Sequence, residues 1–562
     1  MTGTANTRTW TEQKTAPLIR ALIRALKSHG ARAIFGIPGD YALPMFRAME
    51  SDGALPLFTL SHEPAVGFAA DAAARYSGGL GVAAATYGAG ALNLLNAVAG
   101  AYAERSPLVV LSGAPAQSER GGILGLHHQV RSLESQRRIF DEVTCAQAVL
   151  DDADKAPAEI ARVLHACATQ SAPVYLEIPM DMSARPIAPV PPATTAKRDP
   201  EAAEACAAEI AALVRTARRP VLMIGIEVRR FGLEAAVSEL ADIVNIPVVS
   251  SFLGRGVAAQ GPAQIRGTYF GLAGDPDISA LVEDSDALIM LGVILSDTDL
   301  GVPAKRLDLR NAIHAAGGQV RIGHHVYPDV PLAELVTALA RHAPPRGQGL
   351  AVEPAQAPKP ARPFVANGGQ VHPSDIATAI NLLFARHGAM PLASDVGDSL
   401  FVSLETDYVD LVAQAYYASM GFGVPAALGI QAASGKRPLV LVGDGAFQMT
   451  GWELGNCQRY RWDPIVVVLN NQSWEMLRAF EPWARFNDLS DWHFSEIADP
   501  LGGVGHRVRT RAELAQALES AYTTPGRFHL IEVMLERGTT SDTLHRFVTA
   551  IKDRRERARV ER

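Results

Sequence analysis

Short β-branched apolar runs alternate with helix-period stretches along most of this chain, and glycines mark the joins. Leu18, Ile19, Leu22, Ile23 and Leu26 recur at helical spacing, and Gly30 stands where that helix would end. A strand over 33–35 follows, then the loop Gly36-Ile37-Pro38-Gly39-Asp40. The next units repeat the pattern: strand 55–58, helix 63–76, strand 81–85, loop 87–90, helix to Ala103, strand 108–111. The run Pro173 to Ile178 closes this part. Strand and helix alternating in this way predict a doubly wound parallel sheet.

The same grammar returns twice. Residues 186–200 are rich in Pro, Ala and Thr and read as a linker. A second α/β unit then carries the runs 220–225, 247–249 and 287–292. Pro344, Pro345, Pro354, Pro358, Pro360 and Pro363 mark a second linker with little periodicity. A third unit begins near Ala366. The expectation is an α/β protein of three doubly wound parallel-sheet domains, at 1–185, 200–345 and 366–562, with a Pro-rich linker at 346–365. No short repeat is visible, although three similar units recur on the scale of domains.

Within the third unit, Leu439 to Gly445 ends in Gly443-Asp444-Gly445, and Pro464 to Asn471 ends in Asn470-Asn471. Both apolar runs read as buried parallel strands. Open α/β sheets bind ligands beyond the carboxyl ends of their strands. A carboxylate and an amide oxygen at adjacent strand ends suit a hard cation such as Mg²⁺, which takes substrate phosphates for its remaining ligands. The local reading is a Mg²⁺–diphosphate site. A plain glycine turn is the competing reading of Gly-Asp-Gly taken alone.

Bulk properties narrow the class. The 562 residues correspond to about two to four domains. Hydrophobic residues make up 48% and charged residues 20%, an ordinary soluble composition. A formal net charge of −7 argues against a nucleic-acid partner. No apolar run approaches a membrane span, and Met1 to Lys14 lacks the apolar core of a signal peptide. The four cysteines (Cys145, Cys167, Cys206, Cys457) show no metal-type spacing, so a reducing cytoplasm is expected. Cys457 reads as a small buried thiol rather than a nucleophile.

The Gly443-Asp444-Gly445 and Asn470-Asn471 pair resembles the diphosphate signature of thiamine diphosphate (ThDP) enzymes. With 35–40 (Phe-Gly-Ile-Pro-Gly-Asp), 61–65 (Ser-His-Glu-Pro-Ala), 126–129 (Leu-His-His-Gln) and 445–453 (Gly-Ala-Phe-Gln-Met-Thr-Gly-Trp-Glu), the chain is similar to the 2-oxo-acid decarboxylase branch of that family. The nearest likeness is to bacterial phenylpyruvate and indole-3-pyruvate decarboxylases. The resemblance covers nearly the whole chain. It implies an N-terminal aminopyrimidine-binding domain, a middle domain and a C-terminal diphosphate domain, with each cofactor lying between two subunits. The functional unit would be at least a dimer, with a homotetramer expected.

The resemblance also implies roles. Asp444, Asn471 and the main-chain carbonyl of Ser473 would ligate Mg²⁺, with Gly443, Gly445 and Ala446 beside the diphosphate. Glu63 would hydrogen-bond the pyrimidine nitrogen and promote deprotonation of the thiazolium carbon. Its alternative is a first-turn acid favoured by the helix dipole. Asp40, His127 and His128 would line the pocket as proton relays, since histidine both accepts and donates near neutrality. Met420 would hold the cofactor bent, the Ala418 carbonyl would accept from its exocyclic amine, and Asp398 would lie nearby. The implied reaction is non-oxidative decarboxylation of phenylpyruvate or indole-3-pyruvate to the aldehyde and CO₂, through the cofactor's ylid and an enamine.

One position departs from the family. Pyruvate decarboxylases carry a glutamate where this chain has Leu477, and an apolar side chain cannot donate a proton. On a helix Glu475 would point roughly 200° away. Asp297, in the loop Leu295-Ser296-Asp297-Thr298-Asp299, is the candidate replacement, with a turn or N-cap acid the alternative. Met476, Leu477 and Phe480, joined by Phe401 and Phe547, would form an apolar wall suited to an arylpyruvate, with core packing the equal alternative. Two rivals remain: an acetohydroxyacid synthase-type carboligase or oxidase, against which the His127–His128 pair argues, and a ThDP-binding homologue without turnover. A plain dinucleotide-binding protein is disfavoured, because no Gly-x-Gly-x-x-Gly follows a strand.

Overall fold

The computed structural model of the chain describes residues 15–122, 124–192, 200–259, 265–302, 307, 309–310, 312–343 and 363–560. The expected linker at 346–365 falls outside the described residues except for 363–365, and so does Met1 to Lys14.

Three α/β domains each carry one sheet. In the first, six parallel strands stand in the order Leu57–Thr59, Ile34–Gly36, Gly81–Ala85, Leu108–Ala114, Val174–Pro179, Ala146–Val149. In the third, the order is Leu411–Ala413, Leu392–Ser394, Leu439–Gly443, Ile465–Asn470, His529–Met534, Val504–Val508, again all parallel. Strands buried on both faces read as continuous apolar runs, which is why these segments stood out in the sequence.

The middle sheet departs from the parallel expectation. Ile265–Thr268, Val248–Ser250, Pro220–Ile224, Ala287–Leu291 and Ile313–Ala316 run parallel, but Gln319–Ile322 and His325–Tyr327 add two antiparallel strands. The hairpin turns on Gly317 and Gly318, both at positive φ (61° and 78°), the conformation a two-residue primed turn requires. Two further differences are local. Pro186–Ile187, expected in a linker, pairs antiparallel with Ala16–Pro17. The helix expected to run to Ala103 is broken into Ala89–Asn93 and Leu95–Ala103.

The first and third domains share one apolar core, which runs from Phe68 and Val98 through Phe422 and Leu428 to Val440 and Val466. Its centre is the packing of helix Glu63–Ser77 on helix Gly423–Ser434. A Cβ added at Gly429 would lie 2.1 Å from the Ala69 carbonyl oxygen, so the backbones touch only because residue 429 is glycine. Beside this contact Arg75 donates to Asp71 (2.8 Å), to Glu104 (2.6 Å) and to the carbonyl of Ala413 (3.1 Å), all three side chains being buried. Glu104 in turn accepts from the backbone N–H groups of Tyr416 and Tyr417 (2.7 and 2.9 Å). Removing one member strands the other charges away from water. Arg75→Ala is therefore expected to lower unfolding free energy by about 3–5 kcal/mol, read from urea titration; a loss under about 1 kcal/mol would show that the network is solvated.

Candidate active site

Four adjacent strands of the first sheet deliver one group of side chains at their carboxyl ends. Asp40 follows Ile34–Gly36, Glu63 follows Leu57–Thr59, the loop 87–90 follows Gly81–Ala85, and His127 and His128 follow Leu108–Ala114. His127 Nε2 makes a short contact with the Asp40 carboxylate, and its Nδ1 lies 3.1 Å from the Tyr41 hydroxyl. The Tyr41 and His127 rings stack at 4.5 Å, and His128 Nε2 stands 4.0 Å from Asp40. Desolvation pushes the Asp40 carboxyl up. The hydrogen bonds from His127 and from the Tyr41 backbone, with the nearby imidazole charges, outweigh it and hold Asp40 below the usual range. Glu63 opens its helix, accepts from Asn93 Nδ2 at 2.9 Å, and has room beside it because Gly90 carries no side chain.

The third sheet delivers the second group. Gly443 and Leu469 are register partners, so Asp444 and Asn471 emerge side by side. The Asp444 carboxylate accepts from the Gly445 N–H at 2.8 Å and the Ser473 N–H at 3.3 Å, and Asn471 Oδ1 accepts from Ser473 N at 3.1 Å. All three are buried. Burial pushes the Asp444 carboxyl up to about 7 despite these donors, so its negative charge is under-compensated by the protein alone. A carboxylate, an amide oxygen and a main-chain carbonyl form a hard oxygen set that fits Mg²⁺. Arg478 Nε donates to Ser473 Oγ (2.7 Å) and Arg537 to the Gln472 carbonyl (3.0 Å), clamping the turn.

The segment carrying Ala418 and Met420 is tied through Gly421 to Thr450, at the end of the helix that Asp444 opens. Ala418 sits at φ 58°, a strained conformation for a non-glycine residue. Asp395 accepts from Gly421 and Gly423 N–H (3.1 and 2.7 Å), and Thr450 Oγ1 donates to the Gly421 carbonyl (2.8 Å). Met420, at 41% exposure, projects outward rather than into a core. Asp398, by contrast, is claimed: both its oxygens bond to Ser541, through the backbone N–H (2.9 Å) and the hydroxyl, and burial raises its carboxyl to about 7.

The expected apolar wall needs correcting. Phe401 is enclosed in an aromatic cluster between the middle and third domains, 6.0 Å from Phe270 and 5.2 Å from Phe547, and Phe547 stacks on Phe270 at 5.5 Å. Phe401 is buried there, and Phe547 lies partly buried at its edge. Met476 and Phe480 lie partly buried against the edge of this cluster, while Leu477 is 54% exposed on the short helix Glu475–Arg478. Glu475 is turned inward and buried, which raises its carboxyl, and its Oε2 has no partner among the described residues.

Asp297 is exposed, and the hydrogen bond found for its carboxylate comes from its neighbour Thr298 at 3.3 Å. The buried acid of that loop is Asp299. It accepts from the Leu253 N–H at 2.6 Å, its Oδ2 has no hydrogen-bond partner among the described residues, and burial raises its carboxyl to about 7. Sequence reasoning missed Tyr41, Asn93, Asp395 and Asp299, because each acts through a neighbour remote in the chain. No hydrogen bond or ion pair among the described residues links the Glu63 group to the Asp444 group. The first cluster, Asp40, His127 and His128, has ligating atoms all within 4.8 Å of one another.

Comparison with known proteins accounts for this arrangement. The thiamine pyrophosphate enzyme models match throughout: the N-terminal TPP binding domain over residues 18–138, the central domain over 207–342 and the C-terminal TPP binding domain over 395–533. The chain is 56% identical over 543 residues to an indole-3-pyruvate decarboxylase of Azospirillum brasilense, covering 95% of this chain and 98% of that protein. It is 31% identical over 541 residues to an alpha-keto-acid decarboxylase of Mycobacterium avium (92% and 93% covered). It is 26% identical over 575 residues to a pyruvate decarboxylase of Aspergillus parasiticus (95% and 97% covered). The chain belongs to the thiamine pyrophosphate enzymes, and within them to the ThDP-dependent 2-oxo-acid decarboxylases.

Asp299 supplies a prediction from its position. With its carboxyl raised from 3.8 to about 7, the native state holds a proton that the unfolded chain has already released between those values. Stability from this group therefore falls as pH rises through that window. Asp299→Asn removes the titration. Comparing urea midpoints at pH 5 and pH 8, the wild type is expected to lose stability relative to the variant at the higher pH; parallel profiles would refute it.

Proposed function

We propose that this enzyme decarboxylates an aryl 2-oxo acid, phenylpyruvate or indole-3-pyruvate, to the corresponding aldehyde and CO₂, using ThDP and Mg²⁺. The observation that carries the reading is the 56% identity over nearly the full length to an indole-3-pyruvate decarboxylase. Bound ThDP supplies the electron sink for the departing carboxylate's electrons. The chain's own residues do the rest. Asp444, Asn471 and the Ser473 carbonyl hold Mg²⁺, and Gly443, Gly445 and Ala446 line the diphosphate side. Met420 and the Ala418 carbonyl orient the cofactor rings, and Asp398, held by Ser541, lies near the cofactor. Glu63 holds a proton against the pyrimidine nitrogen. Asp40, His127 and His128 carry a proton to the product carbon, which their mutual contacts suit.

Leu477, Met476 and Phe480 offer apolar surface for an aromatic side chain. Asp297, exposed and without an ion pair among the described residues, is the candidate for the carboxyl that Leu477 lacks. The enzyme acts as a homo-oligomer, at least a dimer and as a tetramer in our reading. Two features support this. No hydrogen bond or ion pair among the described residues joins the Glu63 group to the Asp444 group of one chain. Met449, Trp452, Leu477, Trp483 and Phe486, on the segments that follow Asp444 and Ser473, are large apolar side chains left exposed. The domains divide at 1–185, 200–345 and 366–562, and the location is the cytoplasm. No described helix is long and apolar enough to cross a membrane.

Purified protein with ThDP and Mg²⁺, given indole-3-pyruvate, phenylpyruvate and pyruvate in parallel, tests the substrate. Aldehyde from the aryl acids and little from pyruvate is expected, and preference for pyruvate would overturn the aryl assignment. Glu63→Gln should lower kcat by about 10²-fold or more while ThDP still binds. Asp297→Ala should lose turnover with ThDP binding retained; unchanged turnover would remove Asp297 from the site.

A further inference from the structure

Leu57–Thr59, the strand that leads to Glu63, is an edge strand of three residues that pairs only with Ile34–Gly36. Such an edge leaves N–H groups without a neighbouring strand. Here the third domain supplies the acceptors. The Thr59 N–H donates to the Tyr460 hydroxyl at 2.8 Å, and Arg459 donates to Thr59 Oγ1 at 2.7 Å. Two residues on, the Ser61 N–H donates to both oxygens of Glu453, at 3.2 and 3.0 Å. The His62 N–H also faces this carboxylate and favours its charged form. Asn456 Nδ2 bridges Glu453 Oε2 (2.9 Å) and Ser61 Oγ (3.0 Å).

This carboxylate holds the turn just before a helix start. Glu63 is the first residue of its helix, and His62 before it makes no capping bond with its own side chain. A helix start leaves N–H groups that need acceptors, and a carboxylate there is favourable both as acceptor and as charge. Glu453 is 2% exposed, so its placement costs desolvation that only these donors offset. It belongs to the segment Gly451–Asn456, which continues directly from the helix Asp444–Thr450. One continuous piece of chain thus runs from Asp444 to the turn that presents Glu63.

We propose that Glu453 is a positioning residue for Glu63: from the third domain it fixes the Ser61-His62 backbone, and with it the direction of the Glu63 carboxylate, while Asn93 holds that carboxylate from the other side. Glu453 touches neither substrate nor cofactor in this assignment. The inference rests on the role given to Glu63 above. Without Glu453 the Ser61 N–H loses its acceptor and Asn456 its anchor, the turn relaxes, and Glu63 is displaced from the proton it must hold; displacements near 1 Å cost on the order of 100-fold.

Two readouts test it. In the protein without cofactor, amide hydrogen–deuterium exchange over Ser61 to Glu63 should quicken in Glu453→Ala. In the ThDP–Mg²⁺ holoenzyme, exchange of the thiazolium C2 proton into D₂O, followed by acid quench and NMR, should slow by about 10- to 100-fold. Glu453→Gln, which keeps the volume and one oxygen, should give the same changes in weaker form and serves if the alanine variant does not fold. Because Glu453 acts through Glu63, the double variant Glu63→Gln/Glu453→Ala should exchange C2 no more slowly than Glu63→Gln alone. Wild-type C2 exchange in the Glu453 variants, or losses that multiply in the double variant, would overturn the inference while leaving Glu63 in place. Wild-type C2 exchange in Glu63→Gln would overturn both.

Discussion

The contact on which the rest depends is the packing of helix Glu63–Ser77 against helix Gly423–Ser434. With Gly429 against the Ala69 carbonyl, the first and third domains close on a single dry core. Buried apolar area of this kind dominates folding free energy, and packing at native density leaves few alternative arrangements. The Asp71–Arg75–Glu104 network lies beside the contact and fixes its register, because buried charges tolerate only the geometry that pairs them. Two of the candidate site segments hang from the ends of these two helices. Glu63 opens one, and the Ala418–Met420 segment leads into the other.

Both candidate groups are assembled by the same rule. Parallel strands end together, and the loops beyond their carboxyl ends carry polar side chains that the sheet itself does not use. Rigid strands then place the residues, and a second layer of polar contacts aims them: Asp395 and Thr450 for the Met420 segment, Arg478 and Arg537 for the turn at Ser473, Tyr41 for His127. That second layer has a thermodynamic cost. Asp299, Asp398, Asp444 and Glu453 are all carboxyls that burial raises to about 7, so each disfavours the folded state of the cofactor-free protein near neutrality. Carrying charge into a dry interior is how an enzyme obtains strong local electrostatics, and stability is commonly given up for it.

The sequence by itself determined the strand runs, the alternation that makes the sheets parallel, and the Gly-Asp-Gly and Asn-Asn turns, because each is encoded by residues adjacent in the chain. The middle-domain hairpin was legible in the same way, through Gly317-Gly318, although periodicity alone pointed to a parallel sheet. Family resemblance placed Asp40, Glu63, His127, His128, Asp444 and Asn471, and the structure brings them together in two groups.

Burial and partnership were decided only by the tertiary structure. Phe401 has the composition of a pocket wall, yet Phe270, from another domain, packs against it and buries it. Asp297 and Asp299 are equivalent acids two residues apart, and only the docking of the loop on Leu253 buries one and leaves the other in water. Glu453, quoted only as part of the 445–453 motif, has no role of its own until Ser61, 392 positions earlier, is laid against it. The physical reason is the same in each case. Periodicity and turn chemistry act over a few bonds, whereas desolvation and hydrogen-bond pairing depend on which distant segments share a space.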